Sequence, residues 1–213
     1  MRTDELVAML SANVEPVERG LVGRAIAIAV SAGAVIALGL MFVGLGVRAD
    51  ITTTRAVIFL LLKVAFALVV VGVAVRYLTR LARPGAQQEI SPFTIVLPFA
   101  VIALLGAIKL GSTPSAHWNS MILGDEWLEC LLSIPIIAIV PFAVTIFAVR
   151  RAAPTNLVRA GAVAGLVAGG ISAMAYAVHC TTDSLPFVAV WYGATIVLCT
   201  LAGAVLGPRL LRW

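Results

Sequence analysis

The sequence predicts an all-α polytopic membrane protein, a six-transmembrane-helix bundle arranged as three antiparallel hairpins. Of its 213 residues, 62% are hydrophobic and only 12% are charged, and the mean hydropathy of +1.08 lies well above that of soluble domains. A helix needs about 17 to 25 apolar residues to cross roughly 30 Å of hydrocarbon. Stretches of this kind lie near residues 25–47, 56–75, 93–110, 128–149, 157–178 and 186–207.

The distribution of basic residues predicts that both termini are cytoplasmic. Lys and Arg that flank membrane spans are retained in the cytoplasm, so the side that carries more of them is the inner side. With the N-terminus inside, only Arg48, Arg55 and Lys109 fall on the outer side. The net charge of +5 therefore follows from topology and does not indicate a nucleic-acid surface. The eleven inner residues are Arg2, Arg19, Arg24, Arg76, Arg80, Arg83, Arg150, Arg151, Arg159, Arg209 and Arg212.

Residues 1–24 are predicted to form a cytoplasmic segment, and residues 25–213 the membrane domain. Acidic residues at the start of the first segment suit the positive end of a helix, and apolar residues then recur at helical spacing along one face. Such a helix suits docking in the groove of a soluble partner, and it is also compatible with lying on the lipid bilayer. The residues expected to contact a partner are Asp4, Glu5, Leu6, Leu10, Val14 and Val17.

Two of the three cysteines, Cys130 and Cys180, are the best candidates for chemistry in a chain that is mostly hydrocarbon. On the predicted topology Cys130 begins the fourth span and Cys180 follows the fifth, so both lie at the outer side, whereas Cys199 is a core residue of the sixth. The outer thiols can form a disulfide, react with an oxidant, or bind a thiophilic metal ion together with His179 and His117. They are equally compatible with plain packing, because no C-x-x-C or H-x-x-x-H spacing accompanies them.

Lys63 is the one charged residue well inside a span, and an intramembrane charge is a candidate functional group. Its long side chain is expected to extend to the outer interface or to pair with Asp50. The alternative is a small transporter or ligand-binding membrane protein built on Lys63 and on the kinks at Pro135 and Pro141. The chain is not expected to be an enzyme, because the common catalytic motifs are missing from the sequence.

Glycines at positions 161, 165 and 169 of the fifth span recur at four-residue spacing. A ridge of this kind lets the backbone of another helix approach closely. It predicts tight packing within the bundle, with self-association of two chains as the alternative.

Several segments of the chain resemble the NrsF family of six-helix bacterial membrane proteins. The most specific are Trp191-Tyr192 and the closing Gly207-Pro208-Arg209-Leu210-Leu211-Arg212-Trp213. The others are Thr3-Asp4-Glu5-Leu6-Val7 through Glu15-Pro16-Val17, the segment Trp127-Leu128-Glu129-Cys130 followed by Pro135, and the pair His179-Cys180.

The resemblance implies an anti-sigma factor that holds an extracytoplasmic-function (ECF) sigma factor at the inner membrane, away from RNA polymerase. It implies no obligatory cofactor, and a thiophilic metal ion would act as a signal. Members of the family carry two outer cysteines linked to the response to metal or oxidative stress, and these correspond to Cys130 and Cys180. On this reading the two thiols are the sensor, and their modification shifts the helix bundle and releases the sigma factor.

Overall fold

The computed structural model describes residues 3–12, 20–82, 93–152 and 154–212, and these consist of helices and short connections without a β-strand. A 3-10 turn covers Ser115–His117 and a π-helical turn covers Val188–Tyr192. The α-helices are α1 (Thr3–Ala12), α2 (Leu21–Gly44), α3 (Thr54–Leu81), α4 (Phe93–Gly111), α5 (Trp118–Leu123), α6 (Trp127–Arg150), α7 (Leu157–Ala177), α8 (Leu185–Phe187) and α9 (Gly193–Leu210).

Six helical segments are long and apolar enough to cross a membrane, which confirms the predicted all-α class and the approximate positions of the spans. The sixth segment is continuous from Leu185 to Leu210 through α8, the π-helical turn and α9. The first span ends at Gly44, before the predicted limit, because Gly46 adopts a left-handed conformation with φ of 78°. Its N–H then donates to the Met41 carbonyl and closes the helix, as is common for glycine after a helix C-terminus.

Helix α7 lies at the centre of the bundle. It consists largely of alanine and glycine. In its most apolar stretch of 18 residues, 72% of the residues are buried, against 11% in the corresponding stretch of the peripheral helix α4. Helices α9, α3, α6 and α2 all pack against it. Small side chains allow this close approach, because association of helices in lipid depends on packing and not on a hydrophobic driving force.

The glycine ridge of α7 faces α9. A Cβ atom on Gly161 would collide with the carbonyl oxygen of Gly203, and a Cβ atom on Gly165 would collide with that of Cys199. On the facing helix, a Cβ atom on Gly207 would lie 2.6 Å from the Leu157 oxygen. The ridge therefore packs within the bundle, as predicted.

The expected arrangement as three hairpins does not describe how the helices pack. Of the hairpin partners, α7 and α9 pack extensively, whereas α2 lies mainly against α6, α3 against α7, and α4 against α8. Pro141 of α6 contributes to the contact with α2, since a Cβ atom on Gly33 would lie 3.3 Å from the proline Cα and Cβ atoms. This proline is thus part of a packing surface, and the centrality of α7 explains why neighbours in sequence are not neighbours in space.

Three connections, residues 45–53, 112–126 and 178–184, meet at one end of the bundle, here called the cysteine end. At the opposite end an Arg150 Nη2 atom donates to the Arg212 carbonyl oxygen at 3.5 Å. That the cysteine end faces the outside stays a prediction from the distribution of basic residues.

Candidate functional site

Residues 178–184, here called the cysteine strap, connect α7 to α8 and carry Cys180. Two buried cations from other parts of the bundle hold this segment. Arg48, which follows α2, donates from Nη1 to the Cys180 carbonyl oxygen at 3.0 Å, and its backbone N–H donates to the Val178 oxygen at 3.2 Å. Lys63 of α3 donates from Nζ to the same Cys180 oxygen at 3.0 Å. One carbonyl group of the strap therefore accepts hydrogen bonds from both cations.

The two cations are balanced by two carboxylates, and the four residues Arg48, Lys63, Asp50 and Asp183 are here called the ion cluster. The Arg48 guanidinium contacts both oxygens of Asp183, at 2.9 and 3.0 Å, and both oxygens of Asp50, at 2.7 and 2.8 Å. Lys63 Nζ lies 3.6 Å from Asp183 Oδ1. Asp183 is nearly buried, with 8% of its side chain exposed, whereas Asp50 is 51% exposed. Paired, bidentate geometry of this kind is what a buried charge requires.

The hydrogen bonds between Arg48 and its carboxylate partners stabilise the charged forms of Arg48 and Asp50. Hydrogen bonds to Asp50 and to Asp183 raise the pKa of Arg48. The hydrogen bond from Arg48 in turn lowers the pKa of Asp50 below its ordinary value. Both residues are therefore charged at neutral pH.

The position of Lys63 corrects the expectation that its side chain would reach the interface or pair with Asp50. The side chain is fully buried, and its ammonium contacts Cys180 and Asp183 of the strap. The strap folds inward over the end of the bundle, so the polar groups reach the lysine and the lysine does not need to extend outward. The counterion lies in the connection between α7 and α8, not in the one that precedes α3.

Cys130 and Cys180 are both fully buried and both carry free thiols. They belong to the same core cluster of buried residues. The start of α6 contacts the strap on either side of Cys180. The Glu126 carboxylate accepts from the Thr181 N–H at 2.8 Å and from its hydroxyl at 2.5 Å. The fold thus places at the same end of the bundle the two cysteines that the sequence singled out.

The Cys180 sulfur lies in a polar but enclosed environment. Lys63 Nζ is 3.3 Å from Sγ, and the Thr182 carbonyl oxygen is 4.0 Å from it. Burial raises the pKa of the Cys180 thiol, while the Lys63 ammonium acts in the opposite direction. The buried Tyr192 hydroxyl also interacts with this thiol but has no hydrogen bond of good geometry among the described residues. The thiol is therefore protonated at neutral pH and stands beside a cation that would stabilise a thiolate.

The two histidines differ in their relation to the cysteines. His179 lies beside Cys180, but its Nδ1 is 3.1 Å from the Gly46 carbonyl oxygen and its Nε2 is 3.7 Å from Glu129. His117 is exposed in the 3-10 turn before α5. In the part of the chain that the structure describes, no three His, Cys, Asp or Glu side chains are grouped so that they could hold a metal ion. Cys199 lies elsewhere in the bundle, packed near Gly169, Ala138 and Ala168, as expected for a core residue.

A cavity of about 720 Å³ opens beside the strap at the cysteine end. The strap and the start of α8 form one wall, and Arg55, Phe59, Lys109 and Asp125 contribute to the others. Arg55 Nη2 donates to the Asp183 carbonyl oxygen at 3.3 Å and so joins the cavity rim to the strap. A small molecule in this cavity would touch the segment that covers Cys180.

Sequence reasoning missed the roles of Arg48 and Glu126, which hold the strap, and of Asp183, the strap residue that Arg48 and Lys63 contact. A signal for Asp183 was present, because a buried lysine requires a counterion and this aspartate follows Cys180 by three residues. The distribution of basic residues marks Arg48 only as one of three cations on the predicted outer side. Its proximity to Asp50 in the sequence gave no hint of the contact with a connection more than a hundred residues away.

Helix α1 confirms that the predicted N-terminal segment begins as a helix. Asp4 and Glu5 are exposed in its first turn, and Val7 and Met9 are 60% and 61% exposed. The remaining residues predicted to bind a partner lie outside what the structure describes: Val14 and Val17 entirely, and Leu6 and Leu10 in their side chains.

Comparison with known proteins gives matches along almost the whole chain. The model of the family described as "Negative regulator of sigma F", NrsF, matches residues 10–213. The chain is 30% identical to the probable anti-sigma-F factor NrsF of Azospira oryzae and 28% identical to the anti-sigma-F factor NrsF of Caulobacter vibrioides, each over 100% of both chains. No solved structure gives a significant match. The chain belongs to the NrsF family of regulators, as the segments around Cys130 and Cys180 and at its C-terminus suggest.

Proposed function

We propose that this protein is an anti-sigma factor that holds an ECF sigma factor at the cytoplasmic face of the bacterial inner membrane. The observation that carries the proposal is the full-length similarity to two relatives named as anti-sigma-F factors. Six segments able to cross a membrane support attachment to the bilayer. A sigma factor held there is kept away from RNA polymerase, so the protein lowers transcription without catalysing a reaction.

Residues 1–24 are the proposed binding segment, and residues 25–213 the proposed sensor domain. Helix α1 presents acidic and apolar side chains side by side, since Asp4, Glu5, Val7 and Met9 are all exposed. This composition suits a groove that is apolar with a basic rim. The inner arginines add a cationic surface at the same predicted side of the membrane. Leu6, Leu10, Val14 and Val17 complete the proposed contact surface.

The proposed input is the pair of thiols at the cysteine end. Hydrogen peroxide would take two protons and two electrons from Cys130 and Cys180, leaving a sulfur–sulfur bond and two molecules of water. A thiophilic metal ion would instead be bound by the two thiolates, with His179 available only after it leaves Gly46 and Glu129. Either event changes the charge or bonding of a sulfur atom that the ion cluster contacts.

The free energy required of such an input is substantial. A change from mostly bound to mostly free sigma factor requires a difference of about 5.5 kcal/mol in the modifier's affinity for the two states of the protein. A covalent sulfur bond or a metal–thiolate site can supply that difference. A single solvent-exposed hydrogen bond, at about 1 kcal/mol, cannot.

The alternative of a small transporter built on Lys63 and the prolines of α6 loses its main support. The Lys63 ammonium is hydrogen-bonded to the strap, and Pro141 packs against Gly33. Neither residue lines the cavity at the cysteine end.

The proposed function is tested by co-purification of the full chain with candidate ECF sigma factors of the same bacterium, combined with a reporter of sigma-dependent transcription. Removal of residues 1–24 is expected to abolish binding while the protein stays in the membrane. Cys130→Ser and Cys180→Ser are expected to retain binding and to lose the response to peroxide or thiophilic metal, whereas the control Cys199→Ser responds normally. Failure of the intact chain to retain any of these sigma factors would refute the proposal.

A further inference from the structure

We propose that Lys63 is a positioning residue that keeps the cysteine strap closed by using the Cys180 sulfur as a hydrogen-bond acceptor, so that loss of this acceptor opens the strap. The inference concerns a residue of α3 that neither the family match nor the proposed function assigns. It begins with the surroundings of a single nitrogen atom. The Lys63 ammonium has three protons to donate and no exposed surface through which water could accept one.

In the part of the chain that the structure describes, three acceptor atoms lie within 3.6 Å of that nitrogen atom. They are the Cys180 carbonyl oxygen at 3.0 Å, the Cys180 sulfur at 3.3 Å and Asp183 Oδ1 at 3.6 Å. The aspartate oxygen is the most distant, and it is shared with Arg48, which approaches it to 2.9 Å. The sulfur is therefore not a surplus partner, and without it a buried cation keeps a proton with no acceptor.

The contacts that Arg48 and Glu126 make with the strap do not involve the sulfur. Arg48 binds the Cys180 carbonyl oxygen and Asp183, and Glu126 binds Thr181. Within the ion cluster, Lys63 is the one residue whose described hydrogen bonds include Cys180 Sγ. The chemical state of that sulfur thus reaches the strap and α3 through Lys63. The consequence for sigma-factor release rests on the proposed function.

The test compares Cys180→Ala with Cys180→Ser in the full chain, in detergent micelles, by hydrogen exchange of the strap amides. Serine keeps an acceptor oxygen near the Lys63 ammonium and alanine does not. We expect the strap amides of Cys180→Ala to exchange about fivefold faster than those of the unaltered protein, the factor that corresponds to roughly 1 kcal/mol. Cys180→Ser is expected to exchange at close to the unaltered rate.

A matched pair separates this effect from simple loss of packing. Cys130 is also fully buried at the cysteine end but makes no hydrogen bond to Lys63 among the described contacts. The strap amides of Cys130→Ser should therefore not exchange more slowly than those of Cys130→Ala. In a Lys63→Met background the difference between Cys180→Ala and Cys180→Ser should vanish, while the exposed-lysine control Lys109→Met leaves it intact.

Equal exchange rates in Cys180→Ala and Cys180→Ser would overturn the proposal, and this comparison decides even if Lys63→Met does not fold. Persistence of the difference in a folded Lys63→Met protein would also overturn it. Sigma-factor retention by the same variants distinguishes the two proposals. Strap opening without any change in retention would leave the role of Lys63 standing and refute its regulatory consequence. Release without strap opening would refute the role of Lys63.

Discussion

Replacement of Asp183 by asparagine tests the ion cluster most directly. The substitution keeps the shape of the side chain but removes the charge that contacts Arg48 at 2.9 and 3.0 Å and Lys63 at 3.6 Å. Removal of one partner from a buried ion pair typically costs about 3 to 5 kcal/mol, because the other charge is left uncompensated. Asp50 still pairs with Arg48, so we expect the lower end of this range, a loss of about 3 kcal/mol in the free energy of unfolding.

The loss can be measured by denaturant unfolding of the full chain in detergent, followed by tryptophan fluorescence. Trp127 and Trp191 report on the cysteine end, since their rings lie 5.3 Å apart and the Trp191 indole N–H donates to the Ile122 oxygen at 2.9 Å. Asp125→Asn is the matched control. It removes an exposed carboxylate from the wall of the same cavity and should change stability by no more than about 0.5 kcal/mol.

Two outcomes would contradict the reasoning. A loss of less than about 1 kcal/mol in Asp183→Asn would mean that the cluster behaves like an exposed ion pair. The double variant Asp183→Asn with Lys63→Met should be more stable than Asp183→Asn alone, because it removes the cation that the first change strands. If Lys63→Met instead lowered the free energy of unfolding of Asp183→Asn as much as it does that of the unaltered protein, charge compensation between Lys63 and Asp183 would not explain the ion cluster.

Three further predictions follow from other contacts. Gly165→Val should lower stability by about 3 kcal/mol or abolish folding, because the added atoms meet the backbone of α9, whereas Gly39→Val, at a position with open space, should be tolerated in the same unfolding assay. Glu126→Gln should speed hydrogen exchange of the strap about fivefold, because the Thr181 backbone N–H loses its charged acceptor. Because Arg48 lowers the pKa of Asp50, the stabilisation from that pair is present at neutral pH and should be lost as the pH falls below about 4. Unfolding measured against pH should show this loss, and Asp50→Asn should remove it.

The sequence was sufficient to predict the spans because hydrocarbon thickness fixes how many apolar residues a crossing helix needs. It was less informative about where each helix ends. The second span was predicted at 56–75, yet α3 continues to Leu81, since Arg76, Thr79 and Arg80 extend the helix beyond the apolar stretch. Hydropathy marks the part of a helix that lies in lipid, and a helix can continue on either side of it.

The partner of Lys63 was beyond the reach of the same reasoning. Lys63 and Cys180 are 117 residues apart in the chain, and nothing in local periodicity says which connections meet at one end of a six-helix bundle. The meeting depends on α7, whose small residues allow α3 on one side and α9 on another to approach it. Asp50 seemed the natural counterion because it is near in sequence, and Asp183 takes that place because α7 packs against α3.

Stability alone does not explain why charged residues close the cysteine end. Buried ion pairs contribute little compared with apolar packing of the same volume, and a chain that is 62% hydrophobic had many apolar side chains with which to close this end. The ion cluster differs from apolar packing in its response to a single change. A balanced set of two cations and two carboxylates tolerates burial, but a change that removes a buried carboxylate leaves a cation uncompensated in a medium of low dielectric. A segment held in this way opens more readily when one partner is lost, and the sulfur of Cys180 is among those partners.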